Sequence, residues 1–271
     1  MTETIAFIGG GNMAASLIGG LVASGHEPGA IAVVDTDRAK AEALGRQYGV
    51  SNANSATEAV RDAQAVVLAV KPQVLQAAVD GLSFPSGSAV ISIAAGIRIG
   101  SLRRWLGPHV QIVRSMPNTP ALYRAGMSGL YAPPETQASA REAAQYVLGA
   151  VGDTCWVDTE PMLDALTAVS GSGPAYVFQL CEMMCNAGIA LGLPADTARQ
   201  LATHTIAGAA RMLSDSDEDA EALRLKVTSK GGTTAAAIES LENGGVRKLY
   251  NAALECAARR AAELGDELDR S

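Results

Sequence analysis

The sequence predicts an α/β chain: a doubly wound parallel sheet followed by an all-helical half. Three observations carry this. Short β-branched runs alternate with longer segments of helical period from Thr4 to about Val157, which means parallel strands joined by right-handed crossovers. Runs such as Ala65 to Val70 are apolar without polar alternation, as strands covered on both faces must be. After Pro161 the strand signal disappears and everything reads as helix.

Taken in order, TIAFI leads into a helix from Met13 to Ser24, and IAVV into one from Asp37 to Tyr48. AVVLAV precedes a helix from Val74 to Leu82, AVISI one from Ile99 to Leu106, and QIVRS closes the series. The helical half is punctuated at Gly171 to Pro174, Gly192 to Pro194, Ser214 to Asp219, Gly231 to Gly232 and Gly244 to Gly245. Residues 1–160 therefore read as a dinucleotide-binding domain and 161–271 as a second, helical domain. Between Pro174 and Leu191 the only charge is Glu182, so this helix is apolar nearly all round and is expected to be buried on every side. A small helical domain cannot enclose it alone, so a second copy of the chain is expected to complete its packing.

Composition narrows the function. The 271 residues carry a formal charge of -7, with 48% hydrophobic, 18% charged and 4% aromatic residues. An acidic surface without a basic patch excludes nucleic acid as the expected partner, and few aromatics leave few base-stacking platforms. No stretch reaches the roughly 18 apolar residues of a membrane span, and MTETIAFIGGG has no leader-like character, so a cytoplasmic protein is expected. Cys155, Cys181, Cys185 and Cys256 lack paired CxxC spacing and read as buried reduced thiols. His26, His109 and His204 are scattered, so no metal is assigned. The acidic run from Asp215 to Glu221 reads as a solvated connection.

The first strand ends at Ile8 and runs into Gly9-Gly10-Gly11-Asn12-Met13-Ala14, a G-x-G-x-x-A match opening a helix within a βαβ unit. Gly9 permits the tight turn, Gly11 lets a pyrophosphate approach the backbone, and Ala14 keeps helix and strand close. This is the fingerprint of a Rossmann-type sheet. Asp35 ends the second strand about 20 residues on, where a carboxylate binds the adenosine ribose and favours NAD. Thr36 and Arg38 beside it offer a hydroxyl and a guanidinium that would hold a 2′-phosphate and admit NADP. Asp35 as no more than a cap for the next helix is a third reading. Ala69-Val70-Lys71-Pro72 and Ile93-Ala94-Ala95-Gly96 leave two further strands at the same carboxyl edge, with small residues that leave room for a flat nicotinamide ring. Arg114-Ser115-Met116-Pro117-Asn118-Thr119-Pro120 is a rigid polar strand exit. In the helical half, Ser229-Lys230-Gly231-Gly232-Thr233-Thr234 precedes a helical run; free N–H groups at such a start suit a small carboxylate, and an ordinary N-cap is the plain alternative.

Together FIGGGNMA, LAVKPQ, SIAAG, VRSMPNTP, SGSGPAYVF and VTSKGGTTAAAIESLE resemble the pyrroline-5-carboxylate reductases over nearly the whole chain. The resemblance implies reduction of the cyclic imine 1-pyrroline-5-carboxylate to proline by NADPH or NADH. It implies a Rossmann domain followed by a helical dimerisation domain, and a substrate site between one subunit's nicotinamide and helices of its partner. By it, Ser229, Gly231, Gly232 and Thr233 hold the substrate carboxylate, Thr234 reaches the ring nitrogen, and Glu160 lies next to the substrate. Thr36 meets the ribose phosphate, whereas Asp35 departs from the neutral residue more usual beside it. Lys230 and Ala220 stand at frequent proline positions, and Lys230 leaves the backbone donors intact. A protonated imine is already an electrophile, so neither a metal nor a strong general base is demanded. A β-hydroxyacid dehydrogenase would carry a lysine in the second domain's helices, and none lies between Pro174 and Leu213. A silent dinucleotide sensor would have no use for GGTT.

Overall fold

The computed structural model describes residues 3–269. It divides the chain into two compact units, one running to Ser172 and resuming at Cys256, the other Gly173–Glu255. The change of unit thus falls after Ser172, where the loss of strand signal places it near residue 160. It also falls inside a helix, because the last helix begins in one unit and ends in the other.

The first unit is built on an eight-stranded sheet of order β3-β2-β1-β4-β5-β6-β7-β8. Its first six strands are β1 (Ile5–Ile8), β2 (Ile31–Val34), β3 (Ser51–Asn52), β4 (Ala65–Leu68), β5 (Ala89–Ser92) and β6 (Gln111–Met116), all parallel. β7 (Gly126–Tyr131) runs antiparallel to β6, and β8 (Gly152–Trp156) parallel to β7. The wholly parallel sheet expected from alternation is therefore corrected at this edge. The connection from β6 to β7 holds only a 3-10 turn over Thr119–Tyr123, too short for the helical crossover that a parallel return needs.

Both faces of the sheet are covered, which explains why its strands read as unbroken apolar runs. Ile5 and Phe7 point to one face, beneath α1 (Asn12–Ala23), α2 (Arg38–Tyr48) and α6 (Ala138–Gly149). Ala6 and Ile8 point to the other, beneath α3 (Ala56–Val60), α4 (Pro72–Val79) and α5 (Ile99–Leu106). Side chains such as Phe7, Leu17 and Leu102 are fully buried, each contributing about 1.5–3 kcal/mol of hydrophobic stabilisation. α7 (Met162–Leu166) follows β8 and ends in a wide π turn, where the Ser172 N–H reaches the Thr167 carbonyl at 2.8 Å. The closing residues of the last helix, α12 (Val246–Asp269), return to this unit. Gly265 lies close against Gly96, Leu268 joins the face under α5, and Asp266 pairs with Arg98 at 2.6 Å.

The second unit holds α8 (Gly173–Ala190), α9 (Ala195–Asp215), α10 (Ala220–Lys226), α11 (Thr233–Asn243) and the start of α12. Breaks fall where glycine and proline predict them and, between α9 and α10, in the predicted acidic segment. α8 packs on α9 through small residues, Gly188 sitting against Ala198. The expectation that α8 is buried all round fails for one chain: none of its residues is buried, and Phe178 is 67% exposed. The acidic connection is solvated, with Asp219 capping α10 and Glu218 paired to Lys226. Cys155, Cys181 and Cys185 are free thiols but only half-buried, and Cys256 is exposed, which corrects the fully buried placement. Among the described residues no helix is long and apolar enough to cross a membrane, and no three His, Cys, Asp or Glu side chains converge as a metal site would require.

Candidate active site

β1 lies between β2 and β4, and the chain reverses its direction across the sheet there. Ligands of doubly wound sheets sit beyond the strands' carboxyl ends at this switch point. The loops leaving the three strands are stitched side by side: the Gly9 N–H donates to the Val34 carbonyl at 2.8 Å, and the Ala69 N–H to that of Ile8 at 2.8 Å. Gly9 has φ +105°, and a Cβ there would lie 2.7 Å from the Ala69 carbonyl, so only glycine fits. Gly11 is the opposite case, with φ -74° and open space where its Cβ would stand.

Gly11 is the N-cap of α1 and no side-chain cap closes it, so the first-turn N–H groups, beginning at Asn12 and Met13, have no capping side chain. Bare backbone donors, a positive helix end and room for a close approach fit a dinucleotide pyrophosphate. Ile8 contributes backbone only, since its side chain is core. Asp35 accepts the Gly10 N–H on Oδ2 at 2.7 Å and the Asp37 N–H on Oδ1 at 2.8 Å. Thr36 and Arg38 are exposed beside it, with the Arg38 guanidinium 3.4 Å from Asn54 Oδ1. Lys71 is exposed at the N-cap of α4, and Pro72 opens that helix.

The loop from β5 to α5 carries Ala94, buried, and Ala95, exposed. A cavity of about 200 Å³ lies beside it, lined by Ala94, Ala95, Pro72, Arg114, Met116 and Asp164 among others. Arg114 and Asp164 line this cavity without having been singled out from the sequence, where the signal for Arg114 is a lone charge inside an apolar strand. Arg114 is 7% exposed, and its Nη1 donates to Glu160 Oε1 at 2.5 Å. The same oxygen accepts the Ile99 N–H at 2.7 Å. Burial holds the Asp164 carboxyl above the usual carboxylate range, against the pull of the Arg114 and Arg98 guanidinium groups.

In the second unit, Gly231 (φ +74°) and Gly232 turn the chain into α11, the Gly232 N–H closing on the Ser229 carbonyl at 3.0 Å. The positive φ favours glycine at Gly231, while a Cβ on Gly232 would lie 2.5 Å from Ser229 Oγ, which would have to turn aside. Gly232 is the N-cap of α11 and no side chain caps it, which leaves the N–H groups of Thr233, Thr234 and their neighbours as anion donors. Glu160 and the coenzyme loops belong to the first unit; Ser229 to Thr234 belong to the second.

Residues 160–264 match the family described as pyrroline-5-carboxylate reductase dimerisation, and residues 4–96 the one described as NADP oxidoreductase, coenzyme F420-dependent. The chain is 46% identical over 269 residues to a pyrroline-5-carboxylate reductase of Pseudomonas aeruginosa, covering 98% of both. Its fold is similar to a pyrroline-5-carboxylate reductase from Coxiella burnetii, with TM-score 0.94 and 39% identity over 97% of this chain and 99% of that one. It is also similar to a Plasmodium falciparum pyrroline carboxylate reductase with NADP bound, with TM-score 0.83 and 26% identity over 97% of this chain and 98% of that one.

Proposed function

The chain belongs to the pyrroline-5-carboxylate reductase family, and from that membership we propose how its own residues serve the reaction. It is an NAD(P)H-dependent oxidoreductase that reduces 1-pyrroline-5-carboxylate to proline, the last step of proline biosynthesis. The reduced coenzyme supplies a hydride; the protein binds, orients and excludes water. Gly9, Gly10 and Gly11 with the start of α1 hold the pyrophosphate, and Asp35, Thr36 and Arg38 border the adenosine ribose. Ala69 to Pro72, Ala94 and Ala95 flank the nicotinamide.

The observation that carries the substrate assignment is the uncapped start of α11, where two glycines leave backbone donors bare and two threonines follow. Ser229, Gly231, Gly232 and Thr233 hold the carboxylate, and the Thr234 hydroxyl serves the ring nitrogen and hands it a proton directly or from water. No strong base is needed, because the protonated imine accepts hydride once positioned.

Residues 161–271 act as the dimerisation and substrate-binding domain, and the working form is a homodimer or larger homo-oligomer with a substrate site shared between subunits. Support comes from the apolar α8, which one chain leaves uncovered. Four free thiols fit a reducing cytoplasm. The test is oxidation of NADPH and NADH with racemic pyrroline-5-carboxylate, proline being identified as product. Coenzyme binding without any turnover of the imine would leave only the dinucleotide-binding half of the reading.

A further inference from the structure

We propose that Glu160 is a positioning residue for hydride transfer: anchored on buried Arg114, its carboxylate fixes the loop from Ile93 to Arg98 that flanks the nicotinamide. It acts on the coenzyme through that loop. The inference rests on the coenzyme site proposed above.

Three relationships support it. First, one oxygen, Glu160 Oε1, receives both the Ile99 N–H at 2.7 Å and the Arg114 Nη1 donor at 2.5 Å. Both in-plane lone pairs of that oxygen are taken, which leaves only Oε2 for any ligand, and a charge-assisted pair of this length fixes the carboxylate in orientation. Second, Ile99 is the first residue of α5, whose N-cap Arg98 supplies no side-chain acceptor. Glu160, 61 residues away in sequence, supplies it instead. Third, the loop it ends is pinned along its length. β5 holds its start, and Gly96 (φ +80°) lies against Gly265 and Leu268 of α12. Arg98 Nη2 donates to Asp266 at 2.6 Å and to the Ala262 carbonyl at 3.4 Å.

The payload of that loop is Ala94, Ala95 and Gly96, which share the 200 Å³ cavity with Arg114. A backbone shelf beside a transferring hydride tolerates little displacement, since about 1 Å of misplacement costs on the order of a hundredfold in rate. An ion pair that only held the fold would instead lower thermal stability and leave the bound coenzyme as it was. The two roles therefore separate experimentally.

The variants are Glu160→Ala, Glu160→Gln and Ile99→Pro. Glu160→Gln keeps an oxygen for the Ile99 N–H while losing the charge. Ile99→Pro deletes that N–H and leaves the Arg114 pair, at a first helical position where proline is favoured and after a residue with φ -82° and ψ 157°, which proline accepts. Each is titrated with ADP-ribose, which lacks the nicotinamide, and with NADPH followed by its own fluorescence, and each is assayed for kcat and KM. Glu160→Ala and Ile99→Pro should lower kcat by about ten- to a hundredfold and change the fluorescence of bound NADPH, while the affinity for ADP-ribose stays within twofold. Glu160→Gln should recover much of the loss. An unchanged kcat in Ile99→Pro overturns the proposal even if Glu160→Ala does not fold. So does a Glu160→Ala defect confined to the KM for the imine, which would put Glu160 on the substrate, or an equal loss of ADP-ribose affinity. Failure of the coenzyme site itself would show differently, as a wild-type protein that binds neither ADP-ribose nor NADPH.

Discussion

Asp35 ties the glycine turn to the exit of β2: its carboxylate accepts the Gly10 N–H at 2.7 Å and the Asp37 N–H at 2.8 Å. It is not the cap of α2, whose N-cap is Asp37. A carboxylate held at that place sets a negative charge where a 2′-phosphate would arrive. Asp35→Asn keeps an oxygen for one donor and removes the charge. Two unit charges about 4 Å apart in water interact by about 1 kcal/mol, so the ratio of NADPH to NADH affinity should rise by roughly fivefold. Fluorescence titration with both coenzymes measures it, and an unchanged ratio would show that Asp35 only holds the turn.

Gly9 and Gly11 predict opposite outcomes. At Gly9 an added Cβ meets the Ala69 carbonyl at 2.7 Å and the backbone has φ +105°, so Gly9→Ala should disturb the β1–β4 junction and lower thermal stability. At Gly11 nothing lies within reach of a Cβ, so Gly11→Val should fold normally and lose NAD(P)H binding. Melting curves and coenzyme titration on the two variants separate them; a stable Gly9→Ala, or a Gly11→Val that still binds, contradicts the respective assignment.

α8 leaves Phe178 67% and Met183 55% exposed, among apolar neighbours on the same helix. A surface of this kind is unusual on a monomer. Phe178→Asp should shift sedimentation toward the monomer and remove activity together with assembly. A wild-type chain that sediments as a fully active monomer at micromolar concentration would dispose of the shared-site reading.

Burial raises the Asp164 pKa, so the folded state binds this proton more tightly than the unfolded one. Stability therefore falls as pH rises from the ordinary carboxylate range through the raised value, because the unfolded chain has by then released its proton. Asp164→Asn removes that ionisation. It should flatten this part of the stability profile and raise the melting temperature at neutral pH relative to wild type, as thermal melts across the acid to neutral range would measure. A lower melting temperature at pH 7 would mean instead that the attraction of Arg114 and Arg98 outweighs burial.

Much of this was legible in the sequence, and the limits are physical. Apolar runs located β1, β2, β4, β5 and β6, because strands covered on both faces are mostly apolar even where β6 carries Arg114 and Ser115, and glycine with proline located the helix breaks after residue 172 except the one between α9 and α10, which the acidic run marks. Local pattern is blind to strand direction, so the antiparallel β7 escaped. Likewise Gly9 announces its turn through its own backbone, whereas the bond from Glu160 to Ile99 joins residues 61 apart and leaves no local trace. The apolar character of α8 was legible, but what covers it is a property of the assembly rather than of one chain.

Thr234 stands in the first turn of α11, behind an N-cap glycine that offers no side-chain acceptor, so its hydroxyl and the N–H groups around it are a donor set without a capping partner. If that set holds the imine's carboxylate and ring nitrogen, its loss must appear in substrate kinetics. A neutral hydrogen bond contributes roughly 0.5 to 1.5 kcal/mol and one to a charged group roughly 1.5 to 3. Thr234→Ala should therefore lower kcat/KM for pyrroline-5-carboxylate by about one to two decades, at about 1.4 kcal/mol per decade. Coenzyme affinity should hardly change, because the coenzyme loops belong to the other unit. Proline, which carries the same carboxylate, should compete with the imine in the wild type and lose affinity in the variant. A Thr234→Ala enzyme with a raised KM for NADPH and normal imine kinetics would return the GGTT segment to a plain helix start and send the search for the carboxylate site to the Arg114 cavity.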